Sequence, residues 1–527
     1  MADQSVSDDV RTSSLGRWAR ELLGVLVAVA TGIAVVAAVA ASARSELLFR
    51  DGDSLVTTLV VRSIAVGQPQ DWALSSVLFL PETAVLGVLT PLGLGVDGTL
   101  ALAGVVNVVA LYGALRVAAG SVARARAPIS GALLALGAFA LLAASETSPS
   151  RDALEPASLL TTTTYYSATV GGAVLAVGLA RRGLDRMGTD ARAAVPWTAV
   201  AGLGLVAAAS VLTNPLFAAW ATVPLVLVLG VVAVRRRAVW WLVGALVVGS
   251  LLGFVGRMPL AHLIANTGAG YIDPSQWLAS LDYYGALLAE RWSSPWGAAS
   301  LIAIALLWVW SATATVLLAR RRDVGAAVAA ACGWVMPVLV VVGAIVLGTH
   351  AARYLQPAVF APLLGIAVLP DLLSRRPAGS PVRAGRRGAL AVVSAAIVVV
   401  AAVGLGVPRI AAAATAPDAD LACVVDWSEQ SGRIGAGQFW TVRLPKTHLA
   451  DPRGLVQVDH RLRGYAWLVN RDDFSAREVS FLVLDEQSAA FELPGGVSLA
   501  DADLIPCGRY TIADFGSRAL PLGPQRS

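Results

Sequence analysis

Apolar runs of roughly 20 residues, parted by short arginine-bearing breaks, fill the chain from residue 22 to residue 407. A run of that length crosses a hydrocarbon core as a helix. Eleven spans follow, at approximately 22–43, 100–118, 129–144, 162–180, 194–212, 216–234, 239–255, 298–319, 326–347, 355–373 and 389–407. Their middles hold no Asp, Glu, Lys, Arg or His, and Asn107 is the most evident amide inside one. A mid-bilayer charge costs at least ~2.5–3.5 kcal/mol and is kept for function, so this pattern argues against ion-coupled transport. The first run is longer than a signal-peptide core; although "AASARS" resembles a cleavage site, an uncleaved first span is the reading.

Two stretches break the pattern. "VLFLPETAVLGVLTPLGLG" (77–95) is apolar but interrupted by Pro81, Glu82 and Pro91. A span there would invert everything downstream, so it is read as an interfacial or re-entrant part of a long first external loop, 44–99. After residue 408 comes a linker, 409–417, and then short alternating runs with Gly, Pro and Asp between them. "QFWTVRL", "LVQVDH", "YAWLVN", "VSFLVLD", "AAFEL" and "RYTIADF" predict a small β-rich domain over 418–527.

Composition agrees. The 527 residues are 56% hydrophobic and 14% charged, where a soluble chain carries about 25% charged. The fold class is an all-α polytopic membrane protein of about 11 transmembrane helices with a small C-terminal β-rich extracytoplasmic domain. The net charge of +5 divides into +9 before residue 418 and −4 from residue 418 onward. The positive charge lies in clusters between spans, which reads as topology and not as nucleic-acid binding. With residues 1–21 as a cytoplasmic tail, 21 of the 29 basic residues before 418 fall inside, among them Arg116, Arg124, Arg126, Arg181, Arg182, Arg186, Arg192, Arg235–Arg237, Arg320–Arg322, Arg375, Arg376 and Arg383. Arginine bias of this sign puts the N-terminus in the cytoplasm and the β-rich domain outside. Only Lys446 is lysine, and the abundance of Ala, Val, Gly and Arg points to a GC-rich bacterial genome. Cys332 lies in a span as a small hydrophobe. Cys423 and Cys507 bracket the outer domain, where a disulfide is favoured over two free thiols on compartment grounds; its long loop makes it worth roughly 4–5 kcal/mol.

Candidate chemistry gathers outside. "RDGDS" sets Asp51 and Asp53 around Gly52 just after the first span, and Glu82 follows in the same loop. The second loop has Glu146, Arg151, Asp152 and Glu155. The long loop after the seventh span has Arg257, His262 and many aromatics, and "GTHAARYLQP" supplies His350, Arg353 and Tyr354. This layout resembles the C-type glycosyltransferases, which take a sugar from a polyprenyl-phosphate carrier and hold an essential acid early in a long first external loop. "RDGDS" occupies that position, and "RYLQPAVFAPLLG" is similar to the Arg-Tyr-then-Pro opening of a late span in that family.

The resemblance implies a polyprenyl-phosphate-linked sugar donor and an envelope glycan or lipid acceptor, in the bacterial cytoplasmic membrane. An acceptor hydroxyl must lose its proton as it attacks, so a carboxylate serves as general base; Asp53 is the first choice and Asp51 the second. Arginine suits the anionic leaving phosphate, which points to Arg353, with Arg257, His350, Tyr354 and Glu82 as neighbours. Asp-x-Asp also matches a metal-binding motif of nucleotide-sugar enzymes, but those sugars are cytoplasmic; a divalent metal is left open and no cofactor is assigned. The plainer readings stand beside these. Asp-Gly-Asp is common turn composition, Arg353 and Tyr354 suit an interfacial anchor, and the loop aromatics suit an interfacial belt. His448 and His460 read as ordinary domain residues. A non-enzymatic lipid or polysaccharide translocator, or a scaffold or sensor with an exported binding domain, are the rival functions.

Overall fold

The computed structural model describes residues 2–122, 125, 127–187, 195–373 and 386–526; Arg124, Arg126, Arg192, Arg375, Arg376 and Arg383 of the topology argument lie outside the described residues. Within them, seven helices are long and apolar enough to cross a membrane: Gly16–Ala40, Gly95–Ala118, Arg237–Gly256, Pro295–Arg320, Val324–Val346, Ala352–Leu373 and Val392–Ala414. The other four expected runs are also helical, as Pro128–Ala144, Ser167–Met187, Trp197–Thr213 and a π-helical turn Ala218–Thr222 leading into Val223–Ala233. Without hydrophobic drive between helices in lipid, close approach of backbones holds such bundles together. Gly249 shows this: a Cβ there would lie 2.3 Å from the Gly204 carbonyl oxygen on the facing helix.

Three spans depart from the expected pattern. The span Ala352–Leu373 is a broken helix, built of the short pieces Ala352–Leu355, Pro357–Phe360, Leu363–Ala367 and Leu369–Leu373. Pro357, Pro362 and Pro370 remove donors and clash with preceding carbonyls. Neighbours satisfy the freed oxygens: the Trp308 and Trp310 indoles donate to Ala358 and Gly365 at 2.8 and 2.9 Å. The run at 162–180 becomes helical only at Ser167, since the four threonines and two tyrosines before it form a buried irregular stretch on the loop face. The last span continues through a π-helical turn, Ala402–Gly406, into Val407–Ala414, so most of the expected linker is helix.

The stretch 77–95 is too short a helix to cross, Leu80–Leu89 followed by a 3₁₀ turn Thr90–Leu92. It belongs to the first loop with the helix Val56–Ala65 and the strand Trp72–Ala73.

In the C-terminal domain, strands run in the order Leu455–Gln457, Gly435–Gly437, Phe481–Leu484, Tyr510–Asp514 and Asp503–Cys507. The first three are parallel and the last two join antiparallel. "QFWTVRL" is therefore not a strand but the helix Phe439–His448, because parallel neighbours require a crossover connection and a helix usually supplies it. "AAFEL" forms no strand either; Phe491 and Leu493 instead pack on a small core beside Phe515 and Leu520. The unforeseen strand Asp503–Cys507 contains Pro506 and lies at the sheet edge, where a missing donor is tolerated. Cys423 and Cys507 are bonded, with Cα atoms 5.5 Å apart, and tie the helix Ala419–Ser431 to that edge.

The domain is fastened to the first loop. Trp72–Ala73 pairs antiparallel with Val469–Asn470, Asn470 Nδ2 donates to Ser63 Oγ and the Pro69 carbonyl at 3.1 and 2.6 Å, and Gln68 Nε2 donates to Asp473 at 2.8 Å.

Candidate active site

The first span ends at Ala40, and a π-helical turn, Glu46–Arg50, carries the chain to Asp51. The Asp51 carboxylate accepts from the Ser54 amide at 3.1 Å and the Tyr165 hydroxyl at 2.9 Å, which closes the turn. Gly52 is glycine because the helix Phe439–His448 lies against it. A Cβ there would be 3.1 Å from the Trp440 ring and 3.2 Å from Phe439. Its carbonyl accepts from Arg443 Nε at 2.6 Å, a guanidinium fully buried in the C-terminal domain that burial pulls down to about 10.

The turn separates the two acids. Asp51 is 9% exposed, while Asp53 is 25% exposed and faces a cavity. Arg151 of the second loop bridges them, 3.3 Å from Asp51 and 3.2 Å from Asp53, with its guanidinium 4.2 Å above the Trp440 ring. Burial raises the Asp51 carboxyl to about 6, and the charge on Asp53 adds to this against Arg151 and the Tyr165 and Ser54 hydrogen bonds. Tyr165 is raised by burial and then by the same acids, so it stays a donor.

The cavity, about 640 Å³, lies between all these loops. The first loop contributes Asp53, the second Arg151 and Asp152, and the third Asn266, Thr267 and Tyr271. The opening of the broken span contributes His350 and Arg353, and the C-terminal domain contributes Trp440, Tyr465 and Trp467. Arg353 sits 3.2 Å from Asp152 and over the Tyr354 ring at 5.5 Å. Cavities with a few convergent polar groups and a perturbed titrating residue are default sites of chemistry.

No protein-family profile and no curated protein matches this chain. There are similar solved structures, among them one crystal structure. It is the apo oligosaccharyltransferase of Archaeoglobus fulgidus, at a TM-score of 0.40 and 12% identity, covering 87% of this chain and 69% of that one.

Of the residues singled out from sequence, Asp53, His350 and Arg353 meet in the cavity. Asp51 lies behind Asp53, and Tyr354 lies behind Arg353. Arg257 and Glu82 do not join them. Arg257 donates to the carbonyls of Leu212 and Ser76 at 2.7 and 2.5 Å, holding the end of its helix to the first loop. Glu82 is buried, accepting from the Ala168 amide at 3.1 Å at the start of Ser167–Met187. Among the described residues no three His, Cys, Asp or Glu side chains are grouped to hold a metal; between Asp51 and Asp53 stands the Arg151 cation.

Sequence reasoning did not find Arg151 as the bridging cation, nor the three aromatics. A signal for two of them was present: Tyr465 and Trp467 are two apart in "YAWLVN", a spacing that sets both on one face of an extended chain.

Proposed function

We propose that this protein is a membrane glycosyltransferase working on the outer face of the bacterial cytoplasmic membrane. It moves a sugar from a polyprenyl-phosphate carrier to a hydroxyl of an envelope glycan or glycolipid. The observation that carries this reading is the meeting of Asp53 and Arg353 in one cavity, each braced by an opposite charge from the second loop.

The chemistry follows from those positions. The acceptor oxygen attacks the anomeric carbon and forms the new C–O bond, while its proton passes to the Asp53 carboxylate. The bond from that carbon to the carrier phosphate breaks, and the phosphate leaves with the electron pair. Arg353 meets the developing charge with paired donors, and Arg151 holds the Asp53 carboxylate in place.

The test uses the full-length protein in lipid nanodiscs with a panel of polyprenyl-phosphate sugars, alongside mass spectrometry of envelope glycans in a deletion strain. Transfer by wild type that Asp53→Asn and Arg353→Gln abolish, and a missing glycan in the strain, support the reading. Transfer that survives Asp53→Asn unreduced removes Asp53 as base, and an unchanged glycan profile favours a translocator or scaffold.

A further inference from the structure

The cavity has two chemically different walls. Arg353, His350 and Asp152 line it from the membrane-domain loops, and Trp440, Tyr465 and Trp467 line it from the C-terminal domain. We infer that the aromatic wall is the acceptor subsite, and that the acceptor it takes is a neutral saccharide chain. This rests on the proposed transferase reading and deepens it.

Three observations lead there. First, the aromatic wall adjoins the base. Arg151 touches Asp53 at 3.2 Å and covers one face of Trp440 at 4.2 Å, while Tyr465 and Trp467 line the same cavity as Asp53, so a ligand against them shares that cavity with the carboxylate that must receive the proton. The donor phosphate, by contrast, needs Arg353. Second, the charges are already matched: Arg151 is paired with Asp51 and Asp53, and Arg353 with Asp152. With the lining arginines balanced by lining aspartates, the aromatic side offers no surplus cation to an acidic chain and no surplus anion to a basic one. Third, the wall is built, not incidental. Trp440 is 40% exposed although it stands in the first turn of a folded helix, and Tyr465 and Trp467 are held through their backbone carbonyls by Gln457 Nε2, both at 2.8 Å. Flat apolar faces beside hydrogen-bonding groups match the C–H faces and hydroxyl edges of a pyranose or furanose ring. A protein or simple lipid acceptor would leave those faces without that match.

The geometry also gives the C-terminal domain its role. It brings the acceptor wall to the cavity, and the pairing of Trp72–Ala73 with Val469–Asn470 sets the two walls in register.

The experiment measures two affinities on the full-length protein in nanodiscs. One probe is a linear neutral tetra- to hexasaccharide, read by saturation-transfer NMR; the other is a polyprenyl monophosphate, read by competition with a fluorescent analogue. The expected result is that Trp467→Ala weakens the oligosaccharide at least tenfold and the polyprenyl phosphate less than threefold, that Trp467→Phe restores most of the loss, and that Arg353→Gln does the reverse. Thermal midpoints check that each variant is folded, and Tyr465→Ala stands in if Trp467→Ala is not. Equal weakening of both probes, weakening of neither, or wild-type binding only to an acidic oligosaccharide overturns the inference. Oligosaccharide binding that depends on Trp467, with no polyprenyl-phosphate binding by wild type, would instead sink the donor half of the proposed function and leave the saccharide wall standing.

Discussion

Two clusters of arginine and carboxylate lie on the loop face, and both are rooted in the second loop. In the first, Arg44 and Glu146 are 1% and 4% exposed. Arg44 donates to Ser158 Oγ at 2.8 Å and to the carbonyls of Ser148 and Ser150 at 3.0 Å. Glu146 accepts from the amides of Ala157 and Ser158 at 2.8 and 2.7 Å, and Glu155 takes the amides of Thr147 and Ser148 as well as the Arg291 guanidinium. In the second, Asp53, Arg151 and Arg353 are 25%, 26% and 19% exposed and meet partners at 3.2 Å. The residue types are the same. What separates a strut from a site is saturation: the first cluster has used nearly every donor and lone pair, while the second keeps capacity for a ligand. Buried charge is tolerable only when fully paired, which the first achieves and the second does not need.

The sharpest way to break this contrast is to neutralise one acid in each cluster. Asp53→Asn is expected to lower the transfer rate by roughly 10²–10⁴, the usual worth of a positioned general base, with a thermal midpoint close to wild type. Initial rates and a thermal-shift scan on the same preparation check both halves. Glu146→Gln is expected to do the opposite. It leaves the Arg44 cation buried without its counter-charge, at a cost of about 3–5 kcal/mol. Folded yield by size-exclusion chromatography should collapse, while the rate per folded molecule stays within a few-fold. A Glu146→Gln protein that folds normally but is inactive would mean that the sealed cluster is part of the chemistry.

How much of this could be read from the chain depends on how local each determinant is. The spans are legible because a 20-residue apolar run carries its own instruction, and even the breaks at Pro357, Pro362 and Pro370 are written locally. "QFWTVRL" misleads because what makes it a helix is the parallel pairing of Gly435–Gly437 with Leu455–Gln457, a non-local fact. The site divides in the same way. Asp53 and Arg353 stand out by position in their loops. Glu146 and Asp152 do not differ by position at all; they differ in whether neighbouring backbone amides turn inward to seal them, which only the folded loop decides. Arg257 stood out as a loop arginine, but its partners are carbonyls far along the chain.

Asp51 sits between the two regimes, nearly sealed yet in contact with the open site, and its titration sharpens the comparison. Its carboxyl rises from 3.8 to about 6 on folding, chiefly through burial. The folded state therefore binds this proton more tightly than the unfolded one. The resulting stability is present in full below about pH 4 and is lost as pH rises through about 6. Asp51→Asn keeps an oxygen for Ser54 and Tyr165 while removing the charge. It should flatten the stability profile between pH 4 and 6 and gain on the order of 2–3 kcal/mol at pH 7. Chemical-denaturation midpoints at pH 4, 5, 6 and 7 read this directly. A profile that keeps the wild-type slope would show that the proton resides elsewhere in the cluster.

The smallest expected effect tests how the C-terminal domain sets the site. A methyl on Gly52 would come to 3.1 Å from Trp440 and 3.2 Å from Phe439, close enough to require a shift of a few tenths of an ångström. Phe439 is buried at 6% exposure and cannot yield, whereas Trp440 at 40% can. Gly52→Ala should therefore cost only about 1 kcal/mol of stability, the low end for overpacking, because the strain is released by moving Trp440. That movement drags the Arg151 guanidinium resting on the ring, and with it the contact that aims Asp53. The consequence should be a several-fold loss of rate larger than the loss of stability would cause, accompanied by a change in tryptophan emission. If rate and stability fall together in proportion, the domain merely packs against the turn; if rate falls alone, the domain holds the base in place.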